Sequence, residues 1–225
     1  MKSEKELKEL HGERYAKSYR KLSDYRLSKL IKYIDLKKTF DVADFGCGNG
    51  LLMGVISSKV NSYVGVDFSE PFIKDANKKK ELLSIKNAEF NCSDLHDFCN
   101  KNIRKFDLGF AMDFSEHVYD KQWIEILKSI RKSMKPGGKL YLHTPNFDFF
   151  LEKMKDRNFI VKQPPYHIAV RTPEHNISLL RASGFQINHL WLVPHYNILR
   201  YIHFLSFIPI IGKYFKARIL IEASK

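Results

Sequence analysis

Apolar and polar positions along this chain change period in a regular order. From about Lys5 to Ile34 the spacing is helical and reads as two helices, the second with an apolar stripe of Leu22, Leu27, Leu30, Ile31 and Ile34. The short apolar run "DVADF" then predicts a strand, and "GLLMGVISSK" predicts a helix that opens on the glycines between them. "SYVGVDF" reads as a second strand followed by the helix "EPFIKDANKKKELL". "AEFNCSD" and "FDLGFAMDF" read as the third and fourth strands. "KQWIEILKSIRKSM" is an amphipathic helix, "KPGG" a turn and "KLYLHTP" a fifth strand. "TPEHNISLLRASGF" has Thr and Pro at a helix start and Gly184 at its end, and "QINHLWLV" and "ARILIEAS" are the last two strands. Strands alternating with helices predict an α/β fold, a doubly wound, mainly parallel sheet covered by helices on both faces. Ligands of such sheets bind beyond the carboxyl ends of the strands, at the topological switch point.

Composition narrows the class. The chain has 225 residues, 44% of them apolar and 28% charged, which is globular rather than disordered. No repeat, Gly/Ser linker or low-complexity block divides it, so residues 1–225 are read as one domain. The charged start "MKSEKELKEL" lacks the apolar core of a signal peptide, and "YIHFLSFIPIIG" is too short to span a bilayer and contains Pro209. Cys47, Cys92 and Cys99 lack paired metal-ligand spacing, which fits reduced thiols and a cytoplasmic chain without a metal. The net charge of +13 admits nucleic acid, an anionic membrane or an acidic small molecule as partner. Its distribution says more: His175 to Ile221 contains no Asp or Glu, yet includes Arg181, Arg200, Lys213, Lys216 and Arg218.

Candidate chemistry gathers at the strand ends. In "VADFGCGNG", Gly46, Gly48 and Gly50 form G-x-G-x-G after Asp44. The dinucleotide fingerprint needs a glycine where Leu51 stands, and the phosphate-loop Gly-Lys-Ser/Thr is absent, so the loop is poorly matched to phosphate. Asp67 ends the second strand, where a carboxylate can accept hydrogen bonds from both hydroxyls of a ribose. Asp94 ends the third, where its carboxylate can take an exocyclic amine of adenine. Singly each acid reads as a solvated strand end; three in succession point to one ligand.

At these residues the chain resembles the class I S-adenosylmethionine-dependent methyltransferases. The likeness runs in family order through "VADFGCGNG", "YVGVDFS", "NCSDLHDF", "FDLGFAMDFSEHV", "MKPGGKLYLHTPN" and "RTPEHNISLLRASGF", over most of the chain. It implies a Rossmann-like seven-stranded sheet whose last strand is antiparallel. It also implies S-adenosylmethionine as cofactor, its methionine part on the glycine loop near Asp44, its ribose on Asp67, and its adenine between Phe68 and Leu95. Within that superfamily, "SEHV" and "HTPN" look like the small-molecule branch that includes ubiquinone-biosynthesis O-methyltransferases. Phe114 and His143 depart from it, since members often carry Leu or Ile and Thr at those places.

Methyl transfer asks the protein mainly for alignment, because the sulfonium carbon is already electrophilic. A hydroxyl acceptor also needs its proton removed, and Asp113, His117 and His143 are the catalytic candidates. Asp113 is also counted among the cofactor-binding residues. Asp113-x-x-Glu116-His117 has spacing for a divalent ion, but Glu116 and His117 read as cap or pocket residues and no metal is assigned. "QPPYHI" reads as loop punctuation. Three segments should project over the cofactor face as helical lids: the cap 1–34, where Tyr19 is a cofactor-closing candidate beside Tyr15, the stretch 146–171, and the apolar, basic insertion 194–216. That last segment can roof an oily anionic acceptor or rest on an anionic membrane. The function expected is methyl transfer to a small molecule, most simply at a hydroxyl oxygen, rather than to nucleic acid. The rivals are an RNA methyltransferase and a cofactor-binding scaffold without catalysis. The sequence leaves the oligomeric state open.

Overall fold

Four short strands form one half of the sheet: β1 (Asp41–Phe45), β2 (Ser62–Asp67), β3 (Ala88–Cys92) and β4 (Phe106–Met112). β5 (Met134–Pro145), β6 (Gln186–Val193) and β7 (Arg218–Ser224) complete a seven-stranded sheet in the order β3-β2-β1-β4-β5-β7-β6. β7 is antiparallel to β5 and to β6, and the other pairs are parallel. The chain is seen here in a computed structural model, which describes residues 25–159, 162–195 and 198–225 together with Glu6 and Lys17. Most of the 1–34 cap, Tyr15 and Tyr19 included, lies outside the described residues.

The centre of the sheet is buried on both faces, which is why β1 and β2 read as nearly unbroken apolar runs, while the edge strands β3 and β6 are largely exposed or half-buried. One face packs Ala43, Phe45, Val64 and Val66 against Trp123, Leu127 and Ile130 of the amphipathic helix Asp120–Ser133. The other packs Val42, Tyr63, Leu108 and Phe110 against Leu27, Leu30, Leu52 and Ile56. Alternating side chains feed the two cores, and the polar residues at the strand ends are left facing the carboxyl edge.

The helices are, in chain order, α1 (Tyr25–Ser28), α2 (Met53–Ile56), α3 (Glu70–Leu82), α4 (Leu95–Lys101), α5 (Asp120–Ser133), α6 (Phe150–Asp156) and α7 (Pro173–Ala182). Three elements, a helix, a strand and a turn, differ from the sequence expectation. The helix expected over 50–59 shrinks to α2 and a 3-10 turn at Ser57–Lys59, because Gly54, Val55 and a Ser pair are weak helix formers. The third strand stops at Cys92, and Asp94 instead caps α4, its Oδ1 accepting from the His96 amide at 2.7 Å. The "KPGG" turn is absorbed into β5, whose pairing with β4 shifts register between Phe106 and Leu108.

Because β6 runs with β5, it delivers the chain to the carboxyl edge, and residues 194–217 cross that edge before β7 returns. This insertion holds 3-10 helical turns at Ile198–Phe207 and Gly212–Phe215. Among the described residues no helix is long and apolar enough to cross a membrane.

Candidate active site

The carboxyl ends of β1, β2 and β4 and the start of α4 surround a cavity of about 270 Å³. The glycine loop forms its floor. Gly46 has φ +73°, and a Cβ there would stand 2.9 Å from the Phe114 ring, so the position requires glycine twice over. Gly48 has φ +51°, and a Cβ there would meet no atom within 4 Å, because that side of the loop faces open space. The amides of Gly46 and Cys47 both donate to the Val66 carbonyl, which ties the loop to β2.

Three carboxylates follow one another along the wall. Asp44 is buried; its Oδ2 accepts from the Tyr63 hydroxyl at 2.5 Å, while its Oδ1 makes no hydrogen bond. Burial pushes its carboxyl up to about 7, and the nearby Asp67 adds to the rise. Asp67 accepts from the Gly48 amide at 3.0 Å and the Ser69 amide at 2.9 Å, so it clamps the glycine loop to the start of α3. Burial still raises it to about 6, against those two hydrogen bonds. Asp94 is exposed on the rim, with Leu95 beside it, and Phe68 stands 42% exposed although it is a large aromatic.

A buried carboxyl oxygen without a partner, facing a cavity, is chemically fitted to a cation. Asp44 therefore suits an amino-acid ammonium, Asp67 a ribose diol through its remaining lone pairs, and Phe68 the face of an adenine. The donor set fits S-adenosylmethionine.

The far end of the cavity is built around Asp113, which directly follows β4 with φ +53°, a conformation that Asp tolerates better than most residues. Its carboxylate meets Arg26 Nη1 at 2.8 Å, His143 Nδ1 at 3.0 Å and the guanidinium of Arg218. Its amide donates to the His143 carbonyl. His143 is fully buried in β5 and lies outside the cavity wall. Burial, aided by Arg26, lowers its imidazole to about 3, so the ring is neutral.

His117 does line the cavity. Its Nδ1 lies 2.8 Å from the Tyr166 carbonyl, which can only accept; Nδ1 therefore carries a proton, and any proton the ring takes up from an acceptor would go to Nε2. The turn Ser115–His117 is braced from outside. Arg171 donates to the Ser115 and Val118 carbonyls and to Asp120, and the amides of Ile168 and Ala169 donate to the Glu116 carbonyl. "QPPYHI" thus does more than punctuate a loop, since it supplies the carbonyl that sets the His117 tautomer. Glu116 points away from the cavity, accepting from Thr144 at 3.1 Å, and burial raises it to about 7 although Arg26 and Arg171 pull it down. Asp113, the third member of the candidate metal triplet, is turned to its arginines. Glu116, His117 and His167 instead bring ligating atoms within 4.8 Å of one another.

Of the residues singled out in the sequence, Asp44, Gly46, Gly48, Asp67, Phe68 and Asp94 line this cavity, as do Leu95, Asp113 and His117. Gly50 does not; its φ is +69°, and the space where a Cβ would stand is taken by Phe90. Sequence reasoning missed Arg26, which nothing in its own helix marks as different from its basic neighbours. It also missed Gln122 and Ile126, whose i, i+4 spacing puts both on the cavity side of α5.

The methyltransferase-domain family profile matches residues 36–195, and the chain belongs to that family. The fold and the cavity are those of the class I S-adenosylmethionine-dependent methyltransferases. The ubiquinone biosynthesis O-methyltransferase of Coxiella burnetii is 34% identical over 122 residues, 53% of this chain and 50% of that protein. Its counterpart in Acinetobacter baylyi is 25% identical over 183 residues, 73% and 76% of the two chains. The chain spans about half the length of the first of these relatives. A SAM-dependent methyltransferase from Archaeoglobus fulgidus superposes with a TM-score of 0.70 at 18% identity, over 94% of this chain and 98% of that one.

Proposed function

We propose that this protein transfers a methyl group from S-adenosylmethionine to a hydroxyl oxygen of a small-molecule acceptor. The observation that carries the reading is the cavity onto which Asp44 and Asp67, at the carboxyl ends of β1 and β2, and Asp94, at the start of α4, converge, with Asp44 Oδ1 unsatisfied among the described residues. Asp44 would hold the ammonium group, Asp67 the ribose, and Asp94, Phe68 and Leu95 the adenine. S-adenosylmethionine supplies the electrophilic methyl carbon. His117 Nε2 would take the proton of the acceptor hydroxyl. In this reading Asp113 holds Arg26 against the cavity wall and His143 braces Asp113, and neither is the base: one is ion-paired and the other is neutral and buried.

The acceptor we favour is lipophilic, in keeping with the O-methyltransferase relatives and with the apolar insertion 194–216 at the cavity edge. Such an acceptor would bring the enzyme peripherally to an anionic membrane.

The test is calorimetric titration of the purified protein with S-adenosylmethionine. Micromolar-range binding is expected, and Asp67→Ala should weaken it about tenfold or more through lost charge-assisted hydrogen bonds. No heat with this ligand but heat with NADH would overturn the assignment. Turnover on a panel of phenolic acceptors separates an enzyme from a cofactor-binding scaffold.

A further inference from the structure

The insertion between β6 and β7 does not bury its apolar side chains. Among the described residues thirteen large apolar side chains are exposed, and six of them fall between Tyr201 and Ile211. These are Tyr201, Phe204, Phe207, Ile208, Ile210 and Ile211, with Phe207 82% and Ile210 92% exposed. A lid packed on the core would turn such residues inward; here the core takes only Ser206 and Gly212 from this stretch. The tip is also conformationally expensive. Ile210 has φ +69°, where a β-branched residue is strained and glycine or asparagine would sit at lower cost. A bulky apolar residue is thus held outward at a position whose backbone calls for a small one.

Charge is arranged to match. Arg200 stacks over the Tyr201 ring at 4.7 Å and Lys213 over Tyr214 at 5.2 Å, with Lys216 following, and no acid occurs from His175 to Ile221. Apolar and aromatic side chains at the centre, with basic residues flanking them along the segment, are the composition of an interfacial membrane anchor. The surface also adjoins the cavity. Arg200 Nη1 approaches the Tyr25 hydroxyl at 3.4 Å, next to Arg26 and Leu27 of the cavity wall, and Arg218 just beyond the insertion binds Asp113.

We infer that the surface from Tyr201 to Ile211, with Arg200, Lys213 and Lys216 around it, docks onto an anionic phospholipid bilayer. The phenylalanines and isoleucines enter the acyl boundary while the basic groups meet the headgroups. The inference rests on the methyltransferase reading only in the use it gives the contact, namely that an acceptor dissolved in the lipid meets the cavity mouth.

The experiment is co-sedimentation of the full chain with phosphatidylglycerol/phosphatidylcholine vesicles and with pure phosphatidylcholine vesicles, at low and high salt. Binding to the anionic vesicles is expected, weaker on the neutral ones and weaker in salt. Phe207→Ser with Ile210→Ser should lower partitioning at least about tenfold. Lys213→Ser with Lys216→Ser should lower it several-fold at low salt and little at high salt. Calorimetry with S-adenosylmethionine on the same preparations shows that the variants are folded and reads the catalytic assignment separately. A wild-type protein left in the supernatant, or apolar variants that sediment as well as wild type, overturns the inference. So does sedimentation equilibrium showing a dimer that Phe207→Ser with Ile210→Ser splits, since the surface would then belong to a second copy. Vesicle binding without S-adenosylmethionine binding overturns the methyltransferase reading and leaves the docking intact.

Discussion

Asp44→Asn should make this protein more stable and a poorer binder of its cofactor at the same time. The residue is 2% exposed, and among the described residues the carboxyl's only hydrogen bond is from the Tyr63 hydroxyl to Oδ2. Its pKa rises from the ordinary 3.8 to about 7, so the native state holds the proton more tightly than the unfolded chain. Folding therefore gains from this group in acid, and the gain is lost as pH rises from the unfolded value through about 7. About three pH units correspond to a penalty on the order of 4 kcal/mol at pH 8. Asn removes the charge and keeps an oxygen for Tyr63, but leaves an amide group unpaired, which costs about 1–3 kcal/mol. The net gain is on the order of 1–3 kcal/mol, or roughly 2–10 °C in melting temperature for a chain of this size. The same exchange turns donor hydrogens toward the ammonium group and should weaken S-adenosylmethionine about tenfold to a hundredfold. Differential scanning calorimetry from pH 5 to pH 9 and isothermal titration at pH 8 read the two effects. Asp67 and Glu116 are raised in the same direction, to about 6 and about 7, so the variant should keep a reduced slope of stability with pH rather than none. A variant that melts below wild type at pH 8 and binds S-adenosylmethionine equally well would refute the view of Asp44 as a buried anion awaiting a cation.

Two further outcomes test the geometry. Gly46→Ala places a Cβ 2.9 Å from the Phe114 ring at φ +73°, and should cost about 2–4 kcal/mol in denaturant unfolding; Phe114→Leu in the same chain should recover part of it, and no recovery would mean that the backbone conformation alone sets the cost. His117→Gln should lower turnover by about a hundredfold or more while leaving S-adenosylmethionine affinity unchanged in calorimetry; unchanged turnover would remove His117 as the proton acceptor.

The order of strands and helices could be read along the chain because it is written in local periods. β1, β2 and β4 are apolar runs, α5 is an amphipathic stripe, and each was visible before any contact was known. The strand-end acids were legible for the same reason: Asp44 and Asp67 close buried strands, so their place at the carboxyl edge follows from the direction of the chain. Where the strands alternate with helices, the sequence also placed those acids on one edge, and both line one cavity there.

Only the tertiary structure decided what each group does there. Arg26 and Arg218 lie far apart in sequence, yet both grip Asp113. The carbonyl of Tyr166 sets the tautomer of His117 from 49 residues away. The outward face of Tyr201–Ile211 was equally hidden, since an apolar run reads alike whether it covers a core or leaves one bare. Propensity and period are properties of neighbours along the chain. Protonation, tautomer and exposure depend on neighbours in space, and those exist only once the sheet has brought its edges together.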